Sequence, residues 1–213
     1  ALLHEDAEDF GAFGESVIML KFEDGWHMAG SSFVTILPTA YEEIGMLSNG
    51  VTAAKLDGKW GLVNTSEEWV LEPKYDDVIC DSLGRSYARS CVFVRDEDAV
   101  KLLTNSKEGF TQAGGVFEDA KPFLDLYAAV KQNGKWGFAD TDGTIVIDCQ
   151  FEDAKSFGQH LAAVKQDGKW GYIDQKGNVV IPCIYEDAYS FQNGHAFVKT
   201  EAGWVEISLV EYS

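Results

Sequence analysis

Four cysteines in 213 residues are too few to hold a fold of this size by disulfides. Cationic side chains are scarce too. Seventeen Lys and Arg stand against 35 Asp and Glu, a formal charge of -18 that repels phosphate backbones and anionic membrane surfaces. Nucleic acid is therefore not an expected partner. No run of about 18 apolar residues is present to cross a bilayer as a helix, so membrane insertion is not expected. The opening residues, ALLHED, have neither the basic end nor the apolar centre of a secretory signal, and the compartment stays open. The four histidines, His4, His27, His160 and His195, show no metal-ligand spacing. No Gly-x-Ser-x-Gly, phosphate loop, His-Glu-x-x-His or Cys-x-x-Cys stands in the chain. The expectation is a protein without enzymatic activity, cofactor or metal.

What is present is a repeat. A 46% hydrophobic and 13% aromatic composition argues for a folded chain. The segment 151–183, FEDAKSFGQHLAAVKQDGKWGYIDQKGNVVIPC, recurs 34 residues upstream as FEDAKPF leading to AAVKQNGKWGFADTDGTIVI, and 34 downstream as YEDAYSF leading to AFVKTEAGW. A fixed period of this size marks a repeat architecture. Trp26, Trp60, Trp136, Trp170 and Trp204 are spaced by 34, 76, 34 and 34 residues, and the long gap holds a degenerate copy in which Val100 stands at the tryptophan position. The reading is one domain over 1–213 with six repeats, at about 7–40, 41–74, 75–116, 117–150, 151–184 and 185–213, the last five residues short. Atypical terminal repeats are what a stack needs where it meets solvent.

Within a repeat the local code is β. Leu161-Ala-Ala-Val-Lys165 and Lys169-Trp-Gly-Tyr-Ile-Asp174 flank Asp167-Gly168, a strong hairpin signal that recurs as Asn133-Gly134 and Asp57-Gly58. A second turn, Gln175-Lys176-Gly177-Asn178, leads into Val179-Val180-Ile181, and Pro182, which has no N–H to donate, is expected to end the pairing. Each repeat thus predicts a three-stranded antiparallel meander. The linking segment Tyr185–Phe191 spaces Tyr185, Ala188 and Phe191 by three, which predicts a helical turn or irregular crossover with those side chains inward. Such a unit cannot bury both faces of its own sheet, so neighbours must stack. Trp170 is the expected plug, and Gly171 follows it because another backbone or ring passes too closely for a side chain.

Lys59-Trp60-Gly61, Lys135-Trp136-Gly137 and Lys169-Trp170-Gly171, each followed by an apolar strand and a glycine turn, resemble the WG-repeat (KWG-repeat) proteins of bacteria. The resemblance covers nearly the whole chain. It implies an all-β bacterial repeat module and carries no set of active-site residues. Repeats one, three and six depart from it, with Trp26-His27, Val100-Lys101 and Trp204-Val205.

Two charge patterns recur in all six repeats. Glu8-Asp9, Glu42-Glu43, Asp76-Asp77, Glu118-Asp119, Glu152-Asp153 and Glu186-Asp187 form an acidic ladder. It offers oxygen ligands of the kind calcium takes, but without a Asp-x-Asp-x-Asp or glycine-rich calcium repeat, and such pairs also cap turn N–H groups. Lys21, Lys55, Arg95, Lys131, Lys165 and Lys199 lie five residues before each tryptophan position, which predicts ion pairs that set register. Cys149 and Cys183 share one repeat position, suited to a strand end, while Cys80 and Cys91 are left open between paired and unpaired. Repeat three breaks the pattern with an insertion at 81–90 and a loop at 104–113, so Arg85, Tyr87, Arg89 and Phe110 are the expected partner-binding residues.

The fold class expected is all-β, a tandem array of six units of about 34 residues as an open β-solenoid or superhelix, with a closed propeller-like ring as the alternative. The function expected is a non-enzymatic interaction module whose acidic surface docks a basic protein partner, as an inhibitor, immunity protein or scaffold does. The alternative is binding of a glycan or cell-envelope ligand by exposed aromatics such as Tyr172 and Tyr189.

Overall fold

The computed structural model describes residues 8–10, 17–30, 38–80, 86 and 90–208, and every regular element among them is a β-strand. The strands form six antiparallel sheets, consecutive in the chain. Sheet one holds Asp9–Phe10, Val17–Phe22 and Gly25–Gly30. Sheet two holds Glu43–Ile44, Val51–Leu56, Lys59–Asn64 and Trp69–Tyr75. Sheet three holds Asp77–Val78, Cys91–Asp96, Ala99–Ser106 and Gly109–Phe117. Sheet four holds Asp119–Ala120, Ala128–Gln132, Lys135–Ala139 and Ile145–Phe151. Sheet five holds Asp153–Ala154, Leu161–Gln166, Lys169–Asp174 and Val179–Tyr185, and sheet six Asp187–Ala188, His195–Thr200 and Gly203–Ser208.

Three expectations are corrected here. The complete sheets have four strands, because the acidic linker is itself a short edge strand: Asp153 and Ala154 pair with Lys165 and Val164. Asp187–Ala188 is likewise a strand and not a helical turn. The spacing of three was a true sign of burial, since Ala188 and Phe191 are buried, but two residues in extended backbone followed by a bend meet it as well as a helix does. The segment 104–113 is not a loop. The strands Ala99–Ser106 and Gly109–Phe117 run through it, joined by a turn in which the Ser106 hydroxyl accepts from the Glu108 N–H at 3.2 Å.

Pro182 interrupts pairing without ending it. Trp170 pairs with Tyr185 and Tyr172 with Ile181, so the last strand bulges between Ile181 and Tyr185 and then rejoins the ladder. A bulge leaves residues out of the ladder, and a proline fits there at no cost in hydrogen bonds. The same shift occurs between Leu71 and Tyr75 in sheet two and between Ile147 and Phe151 in sheet four. The backbone of each bulge lies directly on the glycine after the tryptophan. A β-carbon on Gly61, Gly137 or Gly171 would stand 2.4, 2.5 and 2.5 Å from the carbonyl oxygens of Leu71, Ile147 and Ile181. The hairpin turns are as expected, with positive φ at both central residues: 52° and 75° for Asp167 and Gly168.

The chain divides into two compact units, Ala1–Gln112 and Ala113–Ser213. In the second, Ala129, Trp136 and Phe138 of sheet four pack on Ala162, Val164 and Ile173 of sheet five. One repeat later, Ala163, Trp170 and Tyr172 of sheet five pack on Ala196, Val198 and Ile207 of sheet six. In the first, Met19 and Met28 of sheet one meet Ala54 and Val63 of sheet two, while Ala53 and Leu62 meet Val92 and Val94 of sheet three. The middle sheets therefore bury both faces. This is why Leu161–Val164 reads as a continuous apolar run instead of an alternation, and why small alanines are frequent where two sheets close on each other.

Candidate functional site

The acidic ladder divides its labour. The first carboxylate of a pair reaches the hairpin turn of its own sheet and accepts from the glycine N–H: Glu42 from Gly58 at 2.9 Å, Glu118 from Gly134 at 3.0 Å and Glu152 from Gly168 at 3.0 Å. In sheet three Asp76 accepts from the Glu97 N–H at 2.7 Å. The second carboxylate accepts from the next N–H along, as Asp153 does from Ala154 at 2.8 Å and Asp187 from Ala188 at 2.8 Å. Turn capping is thus the work of the ladder. The six cations that precede the tryptophan position stand in register with the second acid in every sheet, from Asp9 opposite Lys21 to Asp187 opposite Lys199. Lys55 closes on Glu43 at 2.8 Å, and this contact raises its ammonium pKa, while Lys199 lies 3.6 Å from Glu186.

A second set of lysines, which the repeat reading passed over, ties one sheet to the next. Lys121 of sheet four donates to the Ala154 carbonyl, lies 3.2 Å from Asp153, and sits 4.6 Å above the centre of Trp136. Lys155 of sheet five repeats this on Ala188, on Asp187 at 3.4 Å and over Trp170 at 5.0 Å, and also covers Tyr189 at 4.9 Å. Lys59 of sheet two reaches Asp76 of sheet three at 2.5 Å; this contact, with the Glu97 N–H second, holds the Asp76 carboxyl below its ordinary range. The tryptophan is therefore a plug with a cation on its face. The recurrence of Lys in FEDAK was the signal available for it.

Of the residues expected to meet a partner, Arg85, Tyr87 and Arg89 lie outside the described residues. Phe110 is on the Gly109–Phe117 strand, its ring packed in part against the cluster of Leu62, Val92 and Leu103. His27 is buried and bonded to Asp24 at 3.0 Å, His160 lies 3.5 Å from Asp125, and His195 lies 2.9 Å from Glu206. The thiols of Cys149 and Cys183 face the Val130 and Val164 carbonyls at 3.8 Å, and burial pushes the pKa of both up. A recess of about 590 Å³ is lined by Glu8, Phe22, Glu23 and Asp24.

Among the described residues, sheet six carries the most exposed aromatic surface. Tyr189, Phe197 and Trp204 are 56%, 51% and 46% exposed, and the Tyr189 and Trp204 rings lie 5.1 Å apart at 38°. Tyr172, expected beside Tyr189 on the surface, is instead fully buried, its hydroxyl donating to the Tyr189 carbonyl at 2.7 Å. Burial raises its pKa well above that of a free phenol. Sheet six also carries Val205 where sheets two, four and five have Gly61, Gly137 and Gly171. Its β-carbon occupies the place of the bulge carbonyl, so a fourth strand of the bulged kind cannot lie beside it.

The model of the WG containing repeat matches residues 32–60, 60–82, 115–136, 136–170 and 170–204. The chain belongs to the WG-repeat family. All five matched segments in this WG-repeat chain begin or end on Trp60, Trp136 or Trp170, and two of them, 136–170 and 170–204, run from one tryptophan to the next across the junction of two sheets. No curated protein matches the chain. Among solved structures it resembles Hsv2 of Kluyveromyces lactis with its complete loop 6CD, at a TM-score of 0.55 and 9% identity over 91% of this chain and 70% of that one. It also resembles apo AztD of Citrobacter koseri, at 0.55 and 12% identity over 96% and 70%. At such identities the likeness is one of fold, and the solved structures it resembles are β-propeller-like.

Proposed function

We propose that this WG-repeat chain is a non-enzymatic binding module that docks a protein partner through its acidic surface, in the manner of an inhibitor, immunity protein or scaffold. Within each compact unit the sheets follow one another as propeller-like blades, which suits a rigid display of charge. The observation that carries the reading is the placement of the first acid of each pair. Glu42, Asp76, Glu118, Glu152 and Glu186 are exposed, and four of them are pinned to a hairpin turn by a backbone N–H. Charges held in place by backbone N–H groups lose little entropy on meeting a cationic surface, and their long-range field steers encounter.

A basic protein is the partner this chemistry fits. The test is affinity for an immobilised candidate partner across a salt series, with Glu118→Gln, Glu152→Gln and Glu186→Gln combined in one variant. Affinity should fall as salt rises and fall again in the variant. Binding indifferent to both would sink the reading. Glycan or envelope-polymer binding is the second reading, favoured by the exposed Tyr189 and Trp204 rings, and it has lost Tyr172 to the core. A featureless glycan array would remove it.

A further inference from the structure

The two faces of each sheet in the second compact unit have different duties. The face bearing the tryptophan always receives the following sheet: Ala129, Trp136 and Phe138 take Ala162, Val164 and Ile173, and Ala163, Trp170 and Tyr172 take Ala196, Val198 and Ile207. The corresponding positions of sheet six are Phe197, Trp204 and Glu206, with Tyr189 directly after the adjoining short strand Asp187–Ala188. These are the three exposed aromatics of the sheet, and Glu206 is half exposed beside them. A face that forms an interface twice in succession is thus open at its third occurrence.

We propose that this face of sheet six binds a second copy of the chain, the two copies meeting face to face about a twofold axis. Three arguments converge on that occupant. The first is continuity, since the same strand face is already buried against a neighbouring sheet in sheets four and five. The second is charge. Each copy carries -18, so copies repel unless the contact supplies cations of its own. This face does so, with Lys199 across from Trp204. A twofold axis allows Lys199 of each copy to meet Glu206 of the other, the self-complementarity that an isologous contact requires. The third is shape. The Tyr189 and Trp204 rings are inclined at 38° and Lys155 covers one of them, so together they make a ridged surface suited to interdigitation and not the flat platform on which a sugar stacks.

Three half-exposed rings offer roughly 300 Å² per copy, below the ~800 Å² of a standard interface side, so the contact is a weak one whose centre is aromatic. Sedimentation velocity of the whole chain over a concentration series tests it. The weight-average mass should climb from 23.5 kDa towards twice that value, and climb at lower concentration when salt is added, because salt screens the repulsion between copies. Phe197→Asp and Trp204→Asp should each stay at the monomer mass while melting like the parent. Lys199→Glu should weaken association at least tenfold, and Lys199→Glu with Glu206→Lys should restore it. A mass of 23.5 kDa at every concentration overturns the proposal, as does a dimer indifferent to Phe197→Asp and Trp204→Asp. A monomer whose tryptophan fluorescence responds to oligosaccharide overturns it in favour of a glycan. The salt dependence is opposite in sign to that of docking to a basic protein, so the two readings fail separately.

Discussion

Gly171 lies so close under the backbone of Ile181 that a β-carbon there would stand 2.5 Å from the carbonyl oxygen, with the Cys183 nitrogen at 2.6 Å. The neighbour is backbone held in a bulge between two paired residues, so it has little freedom to move away. Gly171→Ala should therefore destabilise the chain by about 1–3 kcal/mol, the range for forced overpacking. Gly168→Ala, at a φ of 75° with nothing near its would-be β-carbon, costs only local backbone strain. Urea midpoints of the two variants check the contrast. Equal and small losses would mean the bulge yields.

Trp170 and Trp204 occupy one repeat position in opposite surroundings, 6% and 46% exposed. Trp170→Ala should cost about 3–5 kcal/mol, as large aromatic truncations in a core do. Trp204→Ala should cost about 1 kcal/mol or less when measured on the monomer. Equilibrium unfolding at low protein concentration separates them, and losses of similar size would show that the two rings are equally packed.

Lys155 bridges sheets five and six through the Ala188 carbonyl, Asp187 and two aromatic faces, whereas Lys199 makes one long exposed contact. Replacing Lys155 by Met keeps the stem and removes the cation, at a cost of about 1–3 kcal/mol. Lys199→Met should change stability by less than about 1 kcal/mol. Thermal melts of both variants in the same buffer decide the matter. A silent Lys155→Met would leave the sheet junction to apolar packing alone.

Burial, and then the charge of Glu67, push the Tyr41 phenol from 10.0 up to about 12. Its folded-state pKa lies above its unfolded value, so its contribution is complete below pH 10 and is lost as pH rises from about 10 to about 12. Tyr41→Phe should flatten the alkaline decline of stability over that window. Urea midpoints at stepped pH, read alongside phenolate absorbance, test this. A decline of the same depth in the variant would assign the effect to other groups.

The period of 34, the hairpins at Asp57-Gly58, Asn133-Gly134 and Asp167-Gly168, and the need for a close approach at Gly171 were legible because each rests on short-range stereochemistry. The fourth strand was not. Glu152-Asp153-Ala154 has no alternating pattern long enough to signal a strand, and two residues become one only when Lys165 and Val164 lie beside them. For the same reason Pro182 predicted an end where the chain makes a bulge. The ladder of acids was legible as turn caps, while the lysines that tie sheets together were overlooked, since Lys121 and Asp153 are 32 residues apart and belong to different repeats.

The sequence by itself determined the repeat, its β character and its family, because turn residues, proline and glycine act within a few bonds and a fixed period multiplies their signal. Only the tertiary structure decided which aromatics are plugs and which are surface. Tyr172 and Tyr189, and likewise Trp170 and Trp204, are alike in the chain, and the difference lies in whether another sheet covers the face they occupy.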